Sequence, residues 1–194
     1  MANKLLVVGI GGTTRAGSST EKALRFALKA AAGAGAEIEF LGPTDLQLPM
    51  YAPEFPDRTP QALRLVELLR RADGVIVGSP GYHGGISGLV KNALDYVEDM
   101  RGDARVYFDG RAVGCIVTAA GYQAAVGTLG ALRQVVHALR GWPTPVGVAI
   151  NTAEPAFDTD GCPVQKPVAD QLTLMAHQVV AFAEVWKGKL PPLA

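Results

Sequence analysis

The 194-residue sequence predicts an α/β protein of the doubly wound, three-layer type, with a five-stranded parallel sheet in the order 2-1-3-4-5. Two observations predict this class. Five short, mostly apolar runs are typical of strands buried on both faces of a sheet. They alternate with segments whose apolar residues repeat at helical spacing, and strands joined in this way pair in parallel through right-handed crossovers.

The first strand is predicted over residues 4–8, and a helix follows it after a glycine-rich turn. Ser18, with Glu21 three residues later, is a capping-box pattern that places the helix N-terminus there. The spacing predicts an inward face formed by Leu24, Ala27, Leu28 and Ala31. Gly33 ends the periodic pattern, and residues 36–41 are predicted to be the second strand.

Residues 42–59 contain four prolines and no regular pattern, which predicts a long loop. Its side chains Met50, Tyr51 and Phe55 suggest two interpretations. They either close over a ligand or a partner subunit, or they pack the loop onto the rest of the protein.

Thr59 and Pro60 mark the start of the next helix, whose apolar face is predicted to contain Ala62, Val66, Leu69 and Ala72. The third, fourth and fifth strands are predicted over residues 74–79, 112–118 and 145–150. The helix between the last two strands is predicted to be lined by Val126, Leu129, Val136 and Leu139. The final helix, after Pro167, is predicted to place one stripe in the core or a subunit interface: Val168, Leu172, Met175, Val179, Phe182 and Trp186.

Composition favours one soluble domain spanning residues 1–194. Eighteen basic residues balance eighteen acidic ones, so no overall field attracts nucleic acid or an anionic membrane. The apolar runs are too short to span a bilayer, and the first strand begins too early for a signal peptide, so we expect a cytoplasmic protein. Cys115 and Cys162 lie in no metal-binding or redox motif, so no metal site is predicted.

The loop within residues 9–21, GIGGTTRAGSSTE, has the chemistry of an anion site. The first turn of a helix leaves backbone N–H groups unpaired at the positive end of its dipole. Hydroxyl groups and one guanidinium add further phosphate donors. These candidate ligands are Thr13, Thr14, Arg15, Ser18, Ser19 and Thr20.

The loop departs from two common nucleotide motifs. Ser18 stands where a nucleoside-triphosphate loop needs lysine, which argues against an ATPase. The dinucleotide fingerprint lacks its third glycine and its acidic ribose ligand, so a Rossmann-type dehydrogenase is only an alternative. Hydroxyls with one arginine better suit a terminal phosphate monoester, such as that of FMN. The other interpretation is an ordinary turn whose Ser and Thr residues cap the helix.

A second constellation is SPGYHGGISGLVKNALDY, residues 79–96. Its first half follows the third strand, beside the first in the predicted sheet, so this loop and the phosphate loop should meet one ligand. Pro80, Gly81, Gly84 and Gly85 allow backbone to approach a flat ligand, beside Tyr82 and His83. Ser87 caps a helix whose predicted inward residues are Leu89, Val90, Ala93, Leu94 and Val97, with Lys91, Asn92 and Asp95 on other faces.

SPGYHGGISGLVKNALDY closely resembles the central motif of the NAD(P)H-dependent FMN reductases, a flavodoxin-like family that includes quinone, azo and chromate-type reductases. GGTTRAGSST resembles the phosphate loop of the same family, and the likeness runs from residue 4 to about residue 150. The resemblance implies FMN as cofactor, NADPH or NADH as reductant, small-molecule substrates and a homodimer or homotetramer with FMN near the interface. Nucleic-acid and membrane partners are not expected, because the charge is balanced.

The resemblance also implies roles for individual residues. Thr13, Arg15, Ser18 and Thr20 would hold the FMN phosphate. Pro80, Tyr82, His83 and Gly84 would border the isoalloxazine, and its other edge would meet residues 118–123, including Thr118, Ala119 and Gly121. Ser87 matches the serine of the family motif.

Three positions depart from the family pattern. Thr13 replaces the commoner Ser, Tyr96 replaces a frequent Trp, and Gly81 stands where many relatives carry an acidic or amide side chain. Residues 152–166 match no motif.

No catalytic acid or base is predicted, because hydride passes directly from nicotinamide to flavin. Backbone N–H groups of residues 80–86 and 119–122 would stabilise the anionic edge of reduced flavin. His83 either protonates an acceptor or contacts the nicotinamide phosphate, or it bonds backbone in its glycine loop; Tyr82 either stacks on flavin or covers the site. A flavodoxin-like electron carrier is the alternative function, and the final acceptor is left open.

Overall fold

A parallel sheet organises the computed structural model, which describes residues 4–186. Its strands run in the order β2-β1-β3-β5-β6, with β7 also paired to β5 and the short β4 paired antiparallel to β3. The elements, in chain order, are β1 (Leu6–Gly11), α1 (Ser19–Gly33), β2 (Glu37–Leu41), α2 (Pro60–Arg71), β3 (Gly74–Tyr82), β4 (Gly85–Ile86), α3 (Gly88–Asp95), β5 (Ala112–Ala119), α4 (Tyr122–Ala138), β6 (Trp142–Pro143), β7 (Val148–Asn151) and α5 (Lys166–Trp186).

The predicted strand order is confirmed, because β5 is the fourth central strand and β6 with β7 fills the fifth position. This order differs from the 3-2-1-4-5-6 arrangement of the dinucleotide-binding fold. The carboxyl ends of β1, β3 and β5 lie at one edge of the sheet, so the segments that follow them are brought together there.

Two hydrophobic cores cover the two faces of the sheet. One contains residues of α2, α3 and α4, including Leu65, Val90 and Leu132. The other contains residues of α1 and α5, including Leu24 and Met175. The predicted inward face of α1 is confirmed, since all four of its residues are buried.

The predicted helix caps are also observed. The side-chain oxygens of Ser18, Thr59 and Ser87 accept hydrogen bonds from the backbone N–H groups of Glu21, Ala62 and Val90. The Glu21 carboxylate completes the first cap differently from a standard capping box, because it accepts from the N–H of Gly17 at 2.9 Å.

Several predicted boundaries were wrong. The first strand begins and ends later than residues 4–8, and β3 continues beyond Ser79 to Tyr82. The predicted fifth strand over residues 145–150 begins later, at Val148 of β7, and a separate short strand, β6, precedes the predicted range. Pro145, which has no N–H to donate to β5, lies between these two strands. Val126 was predicted to line α4 inward, but it is exposed.

The loop of residues 42–59 is fixed by side-chain contacts onto the 3-10 helix that follows α3, Tyr96–Met100. Arg58 makes a bidentate ion pair with Asp99, at 2.7 and 2.8 Å, and its guanidinium lies over the rings of Tyr51 and Tyr96. Tyr51 therefore packs the loop down, whereas Met50 and Phe55 point outward and are exposed.

Asn92 corrects the prediction that it lies on the polar face of its helix. It is buried, its side-chain oxygen accepts from the N–H of Tyr51 at 2.8 Å, and its amide nitrogen donates to the carbonyl of Pro49 at 2.9 Å. Asn92 thus holds the long loop in place next to the motif helix.

Candidate functional site at the carboxyl edge of the sheet

Glycines line the contact between the end of β1 and the middle of β3. Gly11 has φ +136°, and a Cβ on it would lie 1.9 Å from the carbonyl oxygen of Gly78. The N–H of Gly12 donates to that same oxygen at 3.2 Å. A side chain at residue 11 is therefore excluded, and the phosphate loop leaves the sheet directly beside β3.

The phosphate loop holds several donors at the N-terminus of α1. Ser18 accepts from Glu21 N–H, which leaves its own hydroxyl proton free to donate, and the N–H groups of Ser19 and Thr20 have no partner within the helix. Arg15 is exposed, and among residues 4–186 its guanidinium makes no ion pair. The Thr13 hydroxyl instead contacts the backbone of Arg15, at 3.1 Å to both N and O.

Thr20 and Thr118 meet below this loop. Both are buried, and their hydroxyl oxygens are 2.6 Å apart. This hydrogen bond joins the first turn of α1 to the end of β5, so two segments predicted to contact one cofactor are in direct contact.

The segment predicted as a loop after Ser79 is a tight hairpin. Tyr82 pairs with Gly85 and Gly81 with Ile86, and the two tip residues His83 and Gly84 have φ of +50° and +84°. The His83 side chain is exposed, and no hydrogen bond from it to the hairpin backbone is found in the part of the chain that is described. Tyr82 is 54% exposed, so its ring is available at the surface.

The base of the hairpin is held by the side chains of Ser79 and Ser87. Ser87 caps α3, as predicted, and its own N–H donates to the hydroxyl of Ser79 at 3.0 Å. Pro80 pairs in register with Thr118 of β5. The hairpin therefore stands next to the end of β5.

Gly81 lies too close to α4 and β5 to carry a side chain without contact. A Cβ on it would lie 2.9 Å from the hydroxyl oxygen of Thr128 and 3.2 Å from the Cβ of Ala119. The Thr128 hydroxyl is buried and has no hydrogen-bond partner in the described chain. Close packing of α4 against the hairpin thus leaves no free space for a side chain at residue 81.

The segment after β5 ends at an uncapped helix N-terminus. Gly121, at φ +115°, is the N-cap residue of α4; it supplies no side-chain cap, and the first turn of α4 has no acidic residue. The N–H of Gly121 is already used, since it donates to Ala119 O and to Asn151 Oδ1. The next N–H groups of the helix, those of Tyr122 and Gln123, are the free donors.

A cleft of about 390 Å³ lies beside the phosphate loop. Arg15, Gly17, Ser19 and Lys22 form one wall, and residues 152–157 form the other. Sequence reasoning missed this second wall, because residues 152–166 match no motif. A larger cleft of about 640 Å³ lies between α1, α5 and residues 159–162, and none of the predicted site residues lines it.

The residues at this edge fit FMN. Hydroxyl and N–H donors with one unpaired guanidinium suit a phosphate monoester, and the exposed Tyr82 with the flat hairpin suits a planar ring. In residues 4–186, no group of three or more His, Cys, Asp or Glu side chains is arranged to hold a metal ion. Burial raises the pKa of the Cys115 thiol to about 12, so this core cysteine stays protonated. Over the same residues, no helix has the length and apolarity needed to cross a bilayer.

Curated relatives share about a third of the aligned residues. The FMN-dependent NADPH-azoreductases of Staphylococcus aureus strains USA300 and NCTC 8325 / PS 47 are each 33% identical over 120 residues. That alignment covers 61% of this chain and 60% of each relative, so this chain spans less than two thirds of the relatives that it matches.

Solved structures share the fold at low sequence identity. FerB, a flavoenzyme NAD(P)H:(acceptor) oxidoreductase from Paracoccus denitrificans, matches with a TM-score of 0.75 and 23% identity over 95% of this chain and 99% of that chain. RosB, crystallised with the bound intermediate 8-demethyl-8-formylriboflavin-5'-phosphate, matches with a TM-score of 0.79 and 14% identity over 97% and 82%. The fold is thus flavodoxin-like.

The family model named NADPH-dependent FMN reductase matches residues 5–155, which include every strand of the described sheet. The match contains the phosphate loop, the hairpin after β3, the N-terminus of α4 and Asn151. The sequence motifs, the strand order and this match agree, and the chain belongs to the NADPH-dependent FMN reductase family.

Proposed function

We propose that this protein is an FMN-dependent NAD(P)H oxidoreductase. The observation that carries the proposal is the convergence of the phosphate loop, the β3–β4 hairpin and the N-terminus of α4 at one edge of the sheet. Bound FMN would accept hydride from the nicotinamide and pass electrons to a small-molecule acceptor such as a free flavin, a quinone or an azo compound.

The phosphate end of the cofactor would be held at the N-terminus of α1. Arg15 would supply a charged donor, Ser18 a hydroxyl proton, and Ser19 and Thr20 their backbone N–H groups. The Thr20 hydroxyl would support this site from the interior, where it is hydrogen-bonded to the hydroxyl of Thr118. Thr13 would join this set only after its hydroxyl leaves the backbone of Arg15.

The ring end would lie between the hairpin and α4. Pro80, Tyr82, His83 and Gly84 would border one side, and the N–H groups at the start of α4 would face the edge that becomes negative on reduction. The absence of an acidic residue from the first turn of α4 favours this arrangement, since a carboxylate there would oppose the negative charge.

The test is an absorbance titration of the purified apoprotein with FMN, followed by one anaerobic addition of NADPH. We expect saturable binding and then rapid bleaching of the flavin band. Binding without bleaching would instead support an electron carrier, and no binding of FMN would contradict both functions. A parallel addition of NADH compares the two reductants.

We also propose that the protein is a homodimer or homotetramer with α4 at the interface. The exposed side of α4 carries Tyr122 and Val126, and its mid-helix glycines, Gly127 and Gly130, face open space within the chain. Each glycine costs a helix about 1 kcal/mol relative to alanine. Among residues 4–186, and apart from the adjoining residues of α4, no atom lies within 4 Å of where its Cβ would stand. A close approach by a second backbone would account for both.

Light scattering of the FMN-loaded protein tests this interface. We expect a dimer or larger species, and a smaller species for Gly130→Gln, with Lys166→Gln on α5 as the control. A monomeric unsubstituted protein, or a Gly130→Gln oligomer as stable as the parent, would contradict an interface through α4.

The chain is further proposed to act as a single FMN-binding domain in the cytoplasm. All seven strands of the described residues belong to one sheet, and the proposed reductants are cytoplasmic metabolites. Fluorescence of a tagged full chain in intact cells tests the location.

A further inference from the structure

Asn151, the last residue of β7, holds the turn that precedes α4. Its side-chain oxygen accepts two backbone hydrogen bonds, from Gly121 at 2.8 Å and from Ala153 at 2.9 Å. Since both partners are N–H donors, the atom between them must be the carbonyl oxygen of the amide, which fixes the orientation of the side chain.

The turn that Asn151 holds is tied at a second point. Gly121 N–H also donates to Ala119 O at 3.0 Å, and Thr152 N–H donates to that same carbonyl oxygen at 2.9 Å. Hydrogen bonds of both Asn151 and Thr152 thus join the end of β7 to the end of β5. Gly121 has no side chain of its own to stabilise its φ of +115°, so these contacts determine where α4 begins.

The position of the α4 N-terminus matters because no side chain caps it. Tyr122 and Gln123 present N–H groups that have no acceptor within the helix. These groups lie at the positive end of the dipole of a 17-residue helix. A shift of Gly121 would move these donors, because they follow it directly in the chain.

We infer that Asn151 is a positioning residue that sets the N-terminus of α4 against the redox-active ring of FMN, and so favours binding of the reduced, anionic form. This inference rests on the proposed function. Asn151 touches neither the substrate nor the reacting atoms in this arrangement; it acts through Gly121.

Two substitutions test the inference on the full chain. Asn151→Ala removes the nearer of the two acceptors of the Gly121 N–H and leaves only the carbonyl of Ala119, so we expect the Gly121 amide of the FMN-free protein to exchange with solvent deuterium at least about tenfold faster. We also expect the ratio of the dissociation constants of reduced and oxidised FMN to rise about tenfold, because the donors of α4 no longer face the negative edge. That ratio is obtained from the midpoint potential of bound against free FMN.

Asn151→Asp separates geometry from charge. Its carboxylate oxygen accepts both N–H groups, so Gly121 should stay protected from exchange, while the new negative charge raises the same ratio by opposing reduction. The control is Gln134→Ala, an exposed substitution on α4 that should change neither readout.

Unchanged exchange at Gly121 in Asn151→Ala, or an unchanged ratio in a variant that still binds FMN, would overturn the inference and leave the proposed function intact. Should Asn151→Ala not fold, an unchanged ratio in Asn151→Asp has the same meaning. Failure of the unsubstituted protein to bind FMN would overturn both, so the two failures are distinguishable.

Discussion

The hydroxyl oxygens of Thr20 and Thr118 lie 2.6 Å apart in the interior, although the two residues are 98 positions apart in the sequence. Each hydroxyl satisfies the other, so removing one leaves a buried polar group without a partner. We expect Thr118→Val to lower the free energy of unfolding by about 1–3 kcal/mol.

The double substitution Thr20→Val with Thr118→Val should cost less than the sum of the two single changes, because it leaves no hydroxyl unsatisfied. Urea unfolding of the four proteins measures this coupling. Additive single effects would show that the hydrogen bond does not contribute to stability.

Arg15 is predicted to distinguish FMN from riboflavin, which lacks the phosphate. A hydrogen bond to a charged group contributes about 1.5–3 kcal/mol, so Arg15→Gln should weaken FMN binding roughly 10- to 100-fold and leave riboflavin binding unchanged. Fluorescence titration with both flavins measures the effect. Lys91→Gln, on the exposed side of α3, is the matched loss of a positive charge elsewhere. Equal losses for both flavins would show that Arg15 does not contact the phosphate.

Asp99 links stability to pH through its ion pair with Arg58. The hydrogen bond from Arg58 holds the pKa of the Asp99 carboxyl below its ordinary value, and burial only partly opposes this. Because the folded-state pKa is the lower one, the stabilisation is present above the unfolded pKa of about 3.9 and is lost as the pH falls through the folded value.

Asp99→Asn should therefore lower the free energy of unfolding at pH 7 by about 2–3 kcal/mol, and its difference from the unsubstituted protein should shrink below about pH 4. Urea unfolding across this pH range measures both. Asp170→Asn removes an exposed i,i+4 pair and should cost only about 0.5 kcal/mol. A constant difference at all pH values would contradict the role of the Asp99 carboxylate.

Gly81 and Thr128 are predicted to be coupled through space. Gly81→Ala places a methyl group 2.9 Å from the Thr128 hydroxyl oxygen and should destabilise the protein by about 1–3 kcal/mol. Thr128→Ala removes a buried hydroxyl that has no partner, so its own cost should be small and it should relieve part of the Gly81→Ala defect. Thermal unfolding of the double variant tests the coupling, and full additivity would exclude it.

The features predicted correctly from the sequence depend on local chemistry. Ser18, Thr59 and Ser87 cap helices because each hydroxyl reaches a backbone N–H only three residues away. The strand order follows from the alternation of buried strands and helices. Both features can be predicted from residues that are close together in the sequence.

The features that were missed depend on partners far along the chain. Asn92 and Asn151 look like ordinary polar residues in the sequence. Each side-chain oxygen nevertheless accepts a hydrogen bond from a backbone N–H group that is 30 or more positions away. The late start of β7, in contrast, has a local signal that the prediction did not use, because Pro145 has no N–H to donate to β5. The roles of the predicted cofactor ligands remain predictions, to be tested by the substitutions above.

The edge position of β7 has a consequence for the order of events during synthesis. Its terminal Asn151 supplies the acceptor for the turn before α4, and β5 meets it only after most of the chain has been made. Contacts between distant residues form slowly, since a long loop must close first. While β7 is still inside the ribosome, the turn before α4 lacks its Asn151 acceptor. We therefore expect the protein to bind its cofactor late in its maturation.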